Sequence, residues 1–179
     1  SFKFDPSTEI QILSPMRKGQ LGIHALNRSI QTRKWGAKKP LVTNGDGIKL
    51  FLGDKVIQTS NDYELGVMNG DIGIIQSGGK KLNVSINGKT VVYEPEEAHA
   101  LEAAYAISIH KSQGSEYPVV IVPITRTHMH MLGRNLLYTA ITRGKFHVVM
   151  VGDRDVFKSG IEAAWKDWRY TMLVNTLTN

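Results

Sequence analysis

The strongest constraint on the fold is a short apolar run, residues 118–123, which begins one residue after a segment of nine mainly polar residues. The run places Val and Ile between two prolines, a pattern typical of a parallel strand buried on both faces. Residues 108–116 combine hydroxyls, His, Lys, an amide and a carboxylate around one glycine. These groups favour a functional turn, although a Ser-capped helical turn leading into a core strand would use the same residues.

The order of the other patterns predicts an α/β fold. Residues 9–13 alternate into a short strand that Pro15 ends, because proline cannot donate to a strand ladder. Residues 21–35 and 134–143 have helical periodicity, and residues 100–106 and 146–151 are further strands, the second of them buried. Strands and helices that alternate in this way indicate a parallel sheet. The tail, with Trp165 and Trp168, is expected to form helices that cover one sheet face.

Between the two α/β segments of the sequence, residues 44–97 are predicted to form four or so short strands and no helix. Asn87 and Gly88 separate the last two strands, and this pair is the strongest short signal for a hairpin. Such a turn-rich stretch predicts a small inserted β-barrel. Gly88-Lys89-Thr90 ends like a phosphate-binding loop, but Asn83 stands where that motif needs its first glycine, so the hairpin is preferred.

The charge is unevenly distributed along a chain of net charge +6. Residues 11–45 hold seven Lys and Arg and no acid, whereas residues 46–97 hold eight acids and five Lys. This asymmetry suggests a surface that faces a polyanion, beside a module with another task. The chain has no cysteine, no long apolar run and no signal peptide, so we expect a cytoplasmic protein without a membrane partner.

Three segments, in order, resemble the motifs of one family. Residues 108–116 (SIHKSQGSE) resemble motif V of superfamily 1 helicases in the RecD-like branch, and residues 134–143 (RNLLYTAITR) resemble motif VI. Residues 12–19 (ILSPMRKG) resemble the strand and loop that open the second RecA-like domain. The resemblance implies an α/β, RecA-like parallel sheet flanked by helices, with a small inserted Src-homology-3-like β-barrel. The RecA-like domain would comprise residues 1–43 and 98–179, and the barrel residues 44–97.

The resemblance also implies an ATP site. Arg143 would be the catalytic residue that reaches the γ-phosphate from motif VI, although a basic residue at a helix end is also common on an ordinary surface. Gly114 would let the backbone approach the phosphates, Glu116 would accept a hydrogen bond from the ribose, and Gln113 would couple the nucleotide to DNA. Gly144 stands where the family usually has Ala, which leaves Arg143 in place.

The same family motifs imply a groove for single-stranded DNA. Ser108 and His110 would face the DNA, and Ser108 keeps the hydroxyl of the Thr that is usual in the family. Pro15, Arg17 and Lys18 would line the same groove and follow the backbone charge rather than the bases. Met16 belongs to this loop as well. Tyr138 is expected to pack in the core rather than to stack on a base.

No metal site is expected within the chain. His128 and His130 resemble a ligand pair, but two ligands with no Cys and no nearby carboxylate motif do not form a zinc site. The sequence also holds no Walker A motif and no Walker B pair. In the family both motifs belong to the first RecA-like domain. That domain, rather than this chain, would mainly hold the Mg²⁺ that accompanies ATP.

The chain is therefore interpreted as the C-terminal motor domain of an ATP-dependent DNA helicase of the exodeoxyribonuclease V alpha-subunit type, moving 5′ to 3′ on single-stranded DNA. Its expected partners are ATP, single-stranded DNA, the first RecA-like domain and other exodeoxyribonuclease V subunits, with roles in DNA repair and recombination. The isolated fragment is expected to be inactive. Two alternatives stay open: a non-catalytic module that binds nucleic acid or protein, and an RNA helicase of the same superfamily.

Overall fold

The computed structural model describes residues 3–43 and 47–162, and it contains a parallel sheet with helices and an antiparallel barrel. Trp165 and Trp168, for which covering helices were predicted, lie outside the described residues. In the described part, none of the helices has the length and apolar character that crossing a bilayer requires.

The elements of the described part are numbered in chain order. The strands are β1 (Ile10–Ser14), β2 (Val42–Thr43), β3 (Lys49–Leu50), β4 (Lys55–Gln58), β5 (Ile72–Ser77), β6 (Leu82–Ile86), β7 (Lys89–Tyr93), β8 (Leu101–Ala103), β9 (Ala106–Ser108), β10 (Tyr117–Ile124) and β11 (Gly144–Gly152). The helices are α1 (Ile23–Trp35), α2 (Arg134–Ile141) and α3 (Arg154–Glu162), and 3-10 turns cover Glu97–Ala100, His110–Ser112 and Arg126–His128.

The predicted parallel sheet is confirmed. Its strands lie in the order β11-β10-β1-β9, and every neighbouring pair is parallel. The apolar run that dominates the sequence forms most of β10, a central strand that pairs with β1 on one side and β11 on the other. Val120, Val122 and Ile124 alternate on one face of β10 and share a core with Leu137 of α2 and Val156 of α3.

The inserted barrel is confirmed as well. Its five-stranded antiparallel sheet has the order β7-β6-β5-β4-β8, and β2 and β3 form a separate short pair. The predicted hairpin joins β6 to β7 through Asn87 and Gly88, which have φ angles of 50° and 77°. Asn and Gly are the residues that adopt this left-handed region most readily, so the sequence fixes the turn. The barrel has its own apolar core, to which Leu82, Val84 and Tyr93 contribute.

One predicted strand is divided in the structure. A single strand was expected over residues 100–106, but the chain forms β8, leaves the ladder at Ala104 and Tyr105, and resumes as β9. β8 pairs with β4 of the barrel, whereas β9 pairs with β1 of the parallel sheet. This segment is therefore where the chain passes from one sheet to the other.

The last strand is less buried than the sequence predicted. β11 is an edge strand with one neighbour, so much of it stays accessible within the described part. Phe146 is 70% exposed, although its apolar neighbours in the sequence suggested a core position. Tyr138 of α2 is 69% exposed, so the expectation that it packs in the core is also wrong. The hydrophobic pattern of the sequence predicts that a strand forms, but it does not predict whether a second strand or a helix covers that strand.

Candidate functional site

Two neighbouring strands bring the expected DNA-contacting residues to one edge of the sheet. Ser14 ends β1 and Ser108 ends β9, and these two residues are direct partners in the parallel register. The backbone N–H of Ile109 donates to the Ser14 carbonyl oxygen at 3.4 Å, just beyond the last ladder pair. The polypeptide segments that follow β1 and β9 therefore leave the sheet side by side.

The loop between β1 and α1 is held in a tight shape. The hydroxyl of the buried Ser14 lies 2.8 Å from the Leu21 carbonyl oxygen, to which it donates. A Cβ built on Gly22 would lie 2.4 Å from the Lys18 carbonyl oxygen, so no larger residue fits there unless the loop shifts. Arg17 and Lys18 are both exposed on this loop. The loop thus presents two cations at the carboxyl edge of the sheet.

Pro15 has a different role from the one expected. Its side chain is buried, so the expected contact between its ring and DNA is not supported by the structure. Proline has no N–H to donate, and Pro15 follows directly on the last residue of β1. We therefore correct its assignment to a structural residue that ends β1 ahead of the exposed cations.

Ser108 and His110 lie at the same edge as the cationic loop. The Ser108 hydroxyl oxygen accepts a hydrogen bond from the Lys111 backbone N–H at 3.1 Å and still has its own hydrogen to donate. His110 is exposed and begins the 3-10 turn His110–Ser112. The structure therefore brings together four of the five residues that were expected to face DNA: Arg17, Lys18, Ser108 and His110.

The residues expected to contact the nucleotide lie at the opposite edge, where β10 begins. Gln113, Gly114 and Glu116 are all exposed there. Gly114 has a φ angle of +82°, and a Cβ added to it would meet no atom within 4 Å, so its backbone is open to a ligand. The Glu116 carboxylate forms a solvent-exposed ion pair with Lys145 at 3.4 Å.

Arg143 lies directly beside this turn. Its Nη1 donates to the Ser115 carbonyl oxygen at 3.1 Å, and its Nε donates to the Thr139 carbonyl oxygen at 3.2 Å. Its Nη2 donates to the Thr142 hydroxyl at 3.2 Å, and its own carbonyl oxygen accepts from the Tyr117 N–H at 2.8 Å. Within residues 3–43 and 47–162, three of the five guanidinium N–H groups are therefore engaged, and two remain for another acceptor.

The atoms around residue 144 explain why a glycine follows Arg143. A Cβ built on Gly144 would lie 2.5 Å from Val148 Cγ2 and 2.9 Å from the His147 carbonyl oxygen. Here the register between β10 and β11 shifts, which crowds the start of β11. Alanine, the residue that the resemblance leads one to expect, would need that region to move.

The described residues offer no cage for a metal ion. Within residues 3–43 and 47–162, no group of three or more His, Cys, Asp and Glu side chains could hold a metal. His128 is buried and His130 is exposed, so the two sit in different environments. We assign no metal ligand to this part of the chain.

Comparisons with known proteins match both parts of the fold. Residues 103–151 match the UvrD-like helicase C-terminal domain, and residues 26–89 match the ATP-dependent RecD-like DNA helicase SH3 domain. The ATP-dependent RecD2 DNA helicase of Deinococcus radiodurans is 36% identical over 159 residues, which cover 88% of this chain and 21% of that protein. Both parts of the chain are therefore similar to parts of RecD-like helicases.

Another curated relative and a solved structure show the same similarity. The RecBCD enzyme subunit RecD of Mycobacterium tuberculosis is 32% identical over 155 residues, which cover 86% of this chain and 26% of that protein. The chain thus spans about a fifth to a quarter of these curated relatives. A Bacteroides Pif1 helicase, solved with ADP-AlF3 and ssDNA, shares the fold, with a TM-score of 0.65 and 20% identity over 99% of this chain and 46% of that one.

Sequence reasoning missed several buried polar residues of this chain. Asn27 of α1 donates to the Ala103 and Ala106 carbonyl oxygens at 2.7 and 2.9 Å. It also accepts from the Ala106 N–H at 2.7 Å, so one amide holds the segment between β8 and β9. A signal was present, because Asn27 lies four residues after Ile23, on the same face of the helix. Asp54 and Lys55 carry no comparable sequence signal.

Proposed function

We propose that this chain supplies the second RecA-like motor domain of an ATP-dependent DNA helicase that steps 5′ to 3′ along single-stranded DNA. The chain would contribute half of the ATP site and half of the DNA groove. A first RecA-like domain of a longer protein would contribute the other halves, and other subunits of an exodeoxyribonuclease V complex are further partners in this proposal. The proposal is carried by one observation: Arg143 contacts the turn at residues 113–116 on an open face of the fold.

Arg143 is the catalytic residue in this proposal. Hydrolysis of ATP increases the negative charge on the γ-phosphate oxygens in the transition state, and a planar, permanently charged guanidinium matches those oxygens. In the structure the guanidinium hydrogen-bonds to two neutral backbone carbonyl oxygens, those of Thr139 and Ser115. Charge-assisted bonds to phosphate are stronger than these, so closure of the two domains around ATP would draw the guanidinium across.

The other residues of the turn would position the nucleotide. The exposed backbone at Gly114 allows a phosphate to approach without meeting a Cβ. Glu116 would exchange its exposed ion pair with Lys145 for a hydrogen bond from the ribose, a small loss because surface ion pairs contribute little. Gln113, exposed on the same turn, would sense whether the nucleotide is bound. The Mg²⁺ that accompanies ATP would be held mainly by the first RecA-like domain.

A short continuous segment connects the two edges. Residues 108–116 run from the carboxyl end of β9, beside the cationic loop, to the start of β10, beside Arg143. Ser112 in its centre is buried, and its hydroxyl donates to the Ile109 carbonyl oxygen at 2.7 Å. A movement of the nucleotide turn would therefore displace Ser108 and His110 at the DNA edge, which is how closure would change the grip on DNA.

The decisive test is Arg143→Ala in the longer helicase that contains this chain. We expect ATP turnover stimulated by single-stranded DNA to fall by roughly a thousandfold or more, because an arginine at the γ-phosphate contributes that much. DNA affinity and the circular dichroism spectrum should be unchanged. Arg126→Ala is the matched control, since Arg126 is 83% exposed and its ion pair joins it to Asp153 instead of to the turn.

Two results would contradict the proposal. One is an Arg143→Ala protein that hydrolyses ATP at the rate of the Arg126→Ala control. The other is ATP turnover by the purified 179-residue chain alone, because half of a site cannot carry the reaction. A module that only binds nucleic acid or protein would have no ATPase activity to lose in either experiment.

A further inference from the structure

Strand β4 belongs to the barrel sheet, but its side chains pack in the cores of both the barrel and the parallel sheet. All four of its residues, Lys55–Gln58, are buried. Val56 packs in the core of the barrel, whereas its neighbour Ile57 packs in the core of the parallel sheet. Because successive side chains point to opposite faces, Lys55 and Ile57 share the face that meets the parallel sheet. Two buried charged residues, Asp54 and Lys55, lie at the start of this strand.

Asp54, just before β4, is a buried carboxylate with four donors. One oxygen accepts from the indole N–H of Trp35 and from the Tyr105 hydroxyl at 2.8 Å. The other accepts from the Gln31 amide at 2.7 Å and from the Phe51 N–H at 2.9 Å. Two of these donors are on α1, and Tyr105 is in the segment between β8 and β9. A single barrel residue is thus held by two separate parts of the RecA-like unit.

Lys55, the next residue, contacts two strands of the parallel sheet, β1 and β10. The residue is 2% exposed, and its Nζ donates to the Ile10 carbonyl oxygen at the start of β1, at 3.1 Å. The same Nζ lies 5.7 Å from the centre of the Tyr117 ring, at the start of β10. Lys55 therefore extends from the barrel to the amino ends of two strands of the parallel sheet, next to the segment that carries Arg143.

A third group of hydrogen bonds fixes the segment that connects the two sheets. The buried Gln11 amide of β1 donates to the Ala104 and Tyr105 carbonyl oxygens at 3.0 and 3.1 Å. The Ala104 N–H in turn donates to the Lys55 carbonyl oxygen at 2.8 Å. The segment between β8 and β9 is therefore bonded to the barrel and to the parallel sheet at once.

These contacts are directional as well as strong. An apolar interface would hold the two units together without burying ionised groups, which are costly to remove from water. Hydrogen bonds to a carboxylate accept only narrow ranges of distance and angle, so they fix orientation where apolar contacts would allow sliding. A cluster that served stability alone would not need this geometry.

We propose that Asp54, Lys55 and Tyr105 form a rigid joint that makes the barrel and the parallel sheet move as one body. The barrel would then keep a constant orientation to the DNA edge of the sheet while the motor opens and closes. The rigidity of the joint is independent of the proposed function, whereas its consequence for the motor rests on it. Asp54 and Lys55 are positioning residues, because neither contacts the nucleotide or the DNA in this scheme.

The rigidity can be measured as a distance distribution in the 179-residue chain. The chain contains no cysteine, so Lys89→Cys on the barrel and Ser159→Cys on α3 give two unique positions for spin labels. Both native residues are exposed. Pulsed electron paramagnetic resonance should give one narrow distance distribution between the labels, in the presence and absence of single-stranded DNA.

Variants of the joint should widen this distribution. Asp54→Asn removes the charge and some of the acceptor capacity, and Tyr105→Phe removes one donor; we expect clear broadening from the first and smaller broadening from the second. Asp71→Asn is the matched control, because Asp71 accepts a hydrogen bond from Met68 within the barrel at 2.9 Å. It should leave the distribution narrow.

The outcomes separate a joint from a simple stabilising cluster. A broad distribution in the unmodified chain, or a folded Asp54→Asn chain as narrow as the Asp71→Asn control, would overturn the proposal. If Asp54→Asn does not fold, the unmodified chain and Tyr105→Phe decide the matter in the same way. In the longer helicase, Asp54→Asn should lower the DNA unwound per ATP several-fold with ATP turnover retained, whereas failure of the proposed function would appear in the Arg143→Ala experiment.

Discussion

At the scale of single residues, the buried amine of Lys55 gives the chain a specific dependence on pH. Burial lowers the pKa of Lys55 from 10.5 to about 8, and the negative charge of the Asp5 carboxylate opposes this shift in the pKa. The unfolded chain therefore holds a proton on this amine between these two values, where the folded chain has released it. Stability must then rise with pH through this window, since the unfolded state binds more protons.

We expect the free energy of unfolding to rise by about 2 kcal/mol between about pH 7.5 and about pH 9.5, from the shift in the Lys55 pKa. Urea denaturation followed by circular dichroism at several pH values measures this rise. The range stops below the ordinary pKa of tyrosine, because burial raises the pKa of Tyr93 to about 12, and its ionisation in the unfolded state would favour unfolding.

The control for this prediction is Lys55→Met, which keeps the aliphatic length and removes the amine. Its stability should change with pH much less than that of the unmodified chain over the same range. An equal slope in the two proteins would show that Lys55 does not titrate as described. Lys89→Met, at an exposed position, should behave like the unmodified chain.

The positions of some residues could be predicted from the sequence, whereas the positions of others could not. The placement of Arg143 beside residues 113–116 follows from the two motifs and agrees with the contact between Arg143 and Ser115. Their roles at a nucleotide remain a prediction. The buried state of Pro15 could not be predicted, because the packing around β1 involves residues about a hundred positions away. Asp54 was missed for the same reason: Tyr105, one of its donors, is 51 positions away in sequence.

At the scale of elements, the loop between β1 and α1 makes a prediction about salt. Arg17 and Lys18 are exposed on a loop that Ser14 and Gly22 hold against the sheet edge. If each cation contacts one phosphate, Arg17→Ala with Lys18→Ala in the longer helicase should reduce the salt slope of single-stranded DNA binding by roughly 1.4, about 0.7 for each contact. Fluorescence anisotropy at several salt concentrations measures this slope.

The control for the loop is a pair of cations on another surface, Lys80→Ala with Lys81→Ala in the barrel turn. Lys80 and Lys81 are also exposed, and they follow β5, away from the carboxyl ends of β1 and β9. A slope that is unchanged by the first pair, or reduced equally by both, would remove this loop from the DNA groove.

The elements differ in how far they follow from the sequence. The hairpin at Asn87 and the strand β10 were predictable, because local turn chemistry and a continuous apolar run specify them. The division of the predicted strand at Ala104 was not predictable. The alanines and the tyrosine there are compatible with one continuous strand, and only contacts with other elements of the fold end it. There, Asn27 and Gln11 take over backbone groups that a ladder would otherwise use.

At the scale of the whole molecule, the two cores are distinct but are not independent. The barrel core surrounds Leu82 and Val84, and the parallel-sheet core surrounds Val120 and Val122. Ile57 of a barrel strand completes the second core. If either unit unfolds, it exposes apolar side chains of the other unit and breaks hydrogen bonds that the other unit makes. Unfolding of one unit therefore destabilises the other.

This arrangement predicts that the chain unfolds as one cooperative unit. In native-state hydrogen exchange, the slowest amides of β6 in the barrel and of β10 in the parallel sheet should report the same free energy of opening. Ile57→Ala should lower both values together, by about 2–4 kcal/mol, because it leaves a cavity where the two units meet. Val84→Ala, deep in the barrel alone, should also lower the value measured in β10. If β10 kept its full protection in the Val84→Ala chain, the two units would unfold separately, and the coupling attributed to β4 would not extend across the molecule.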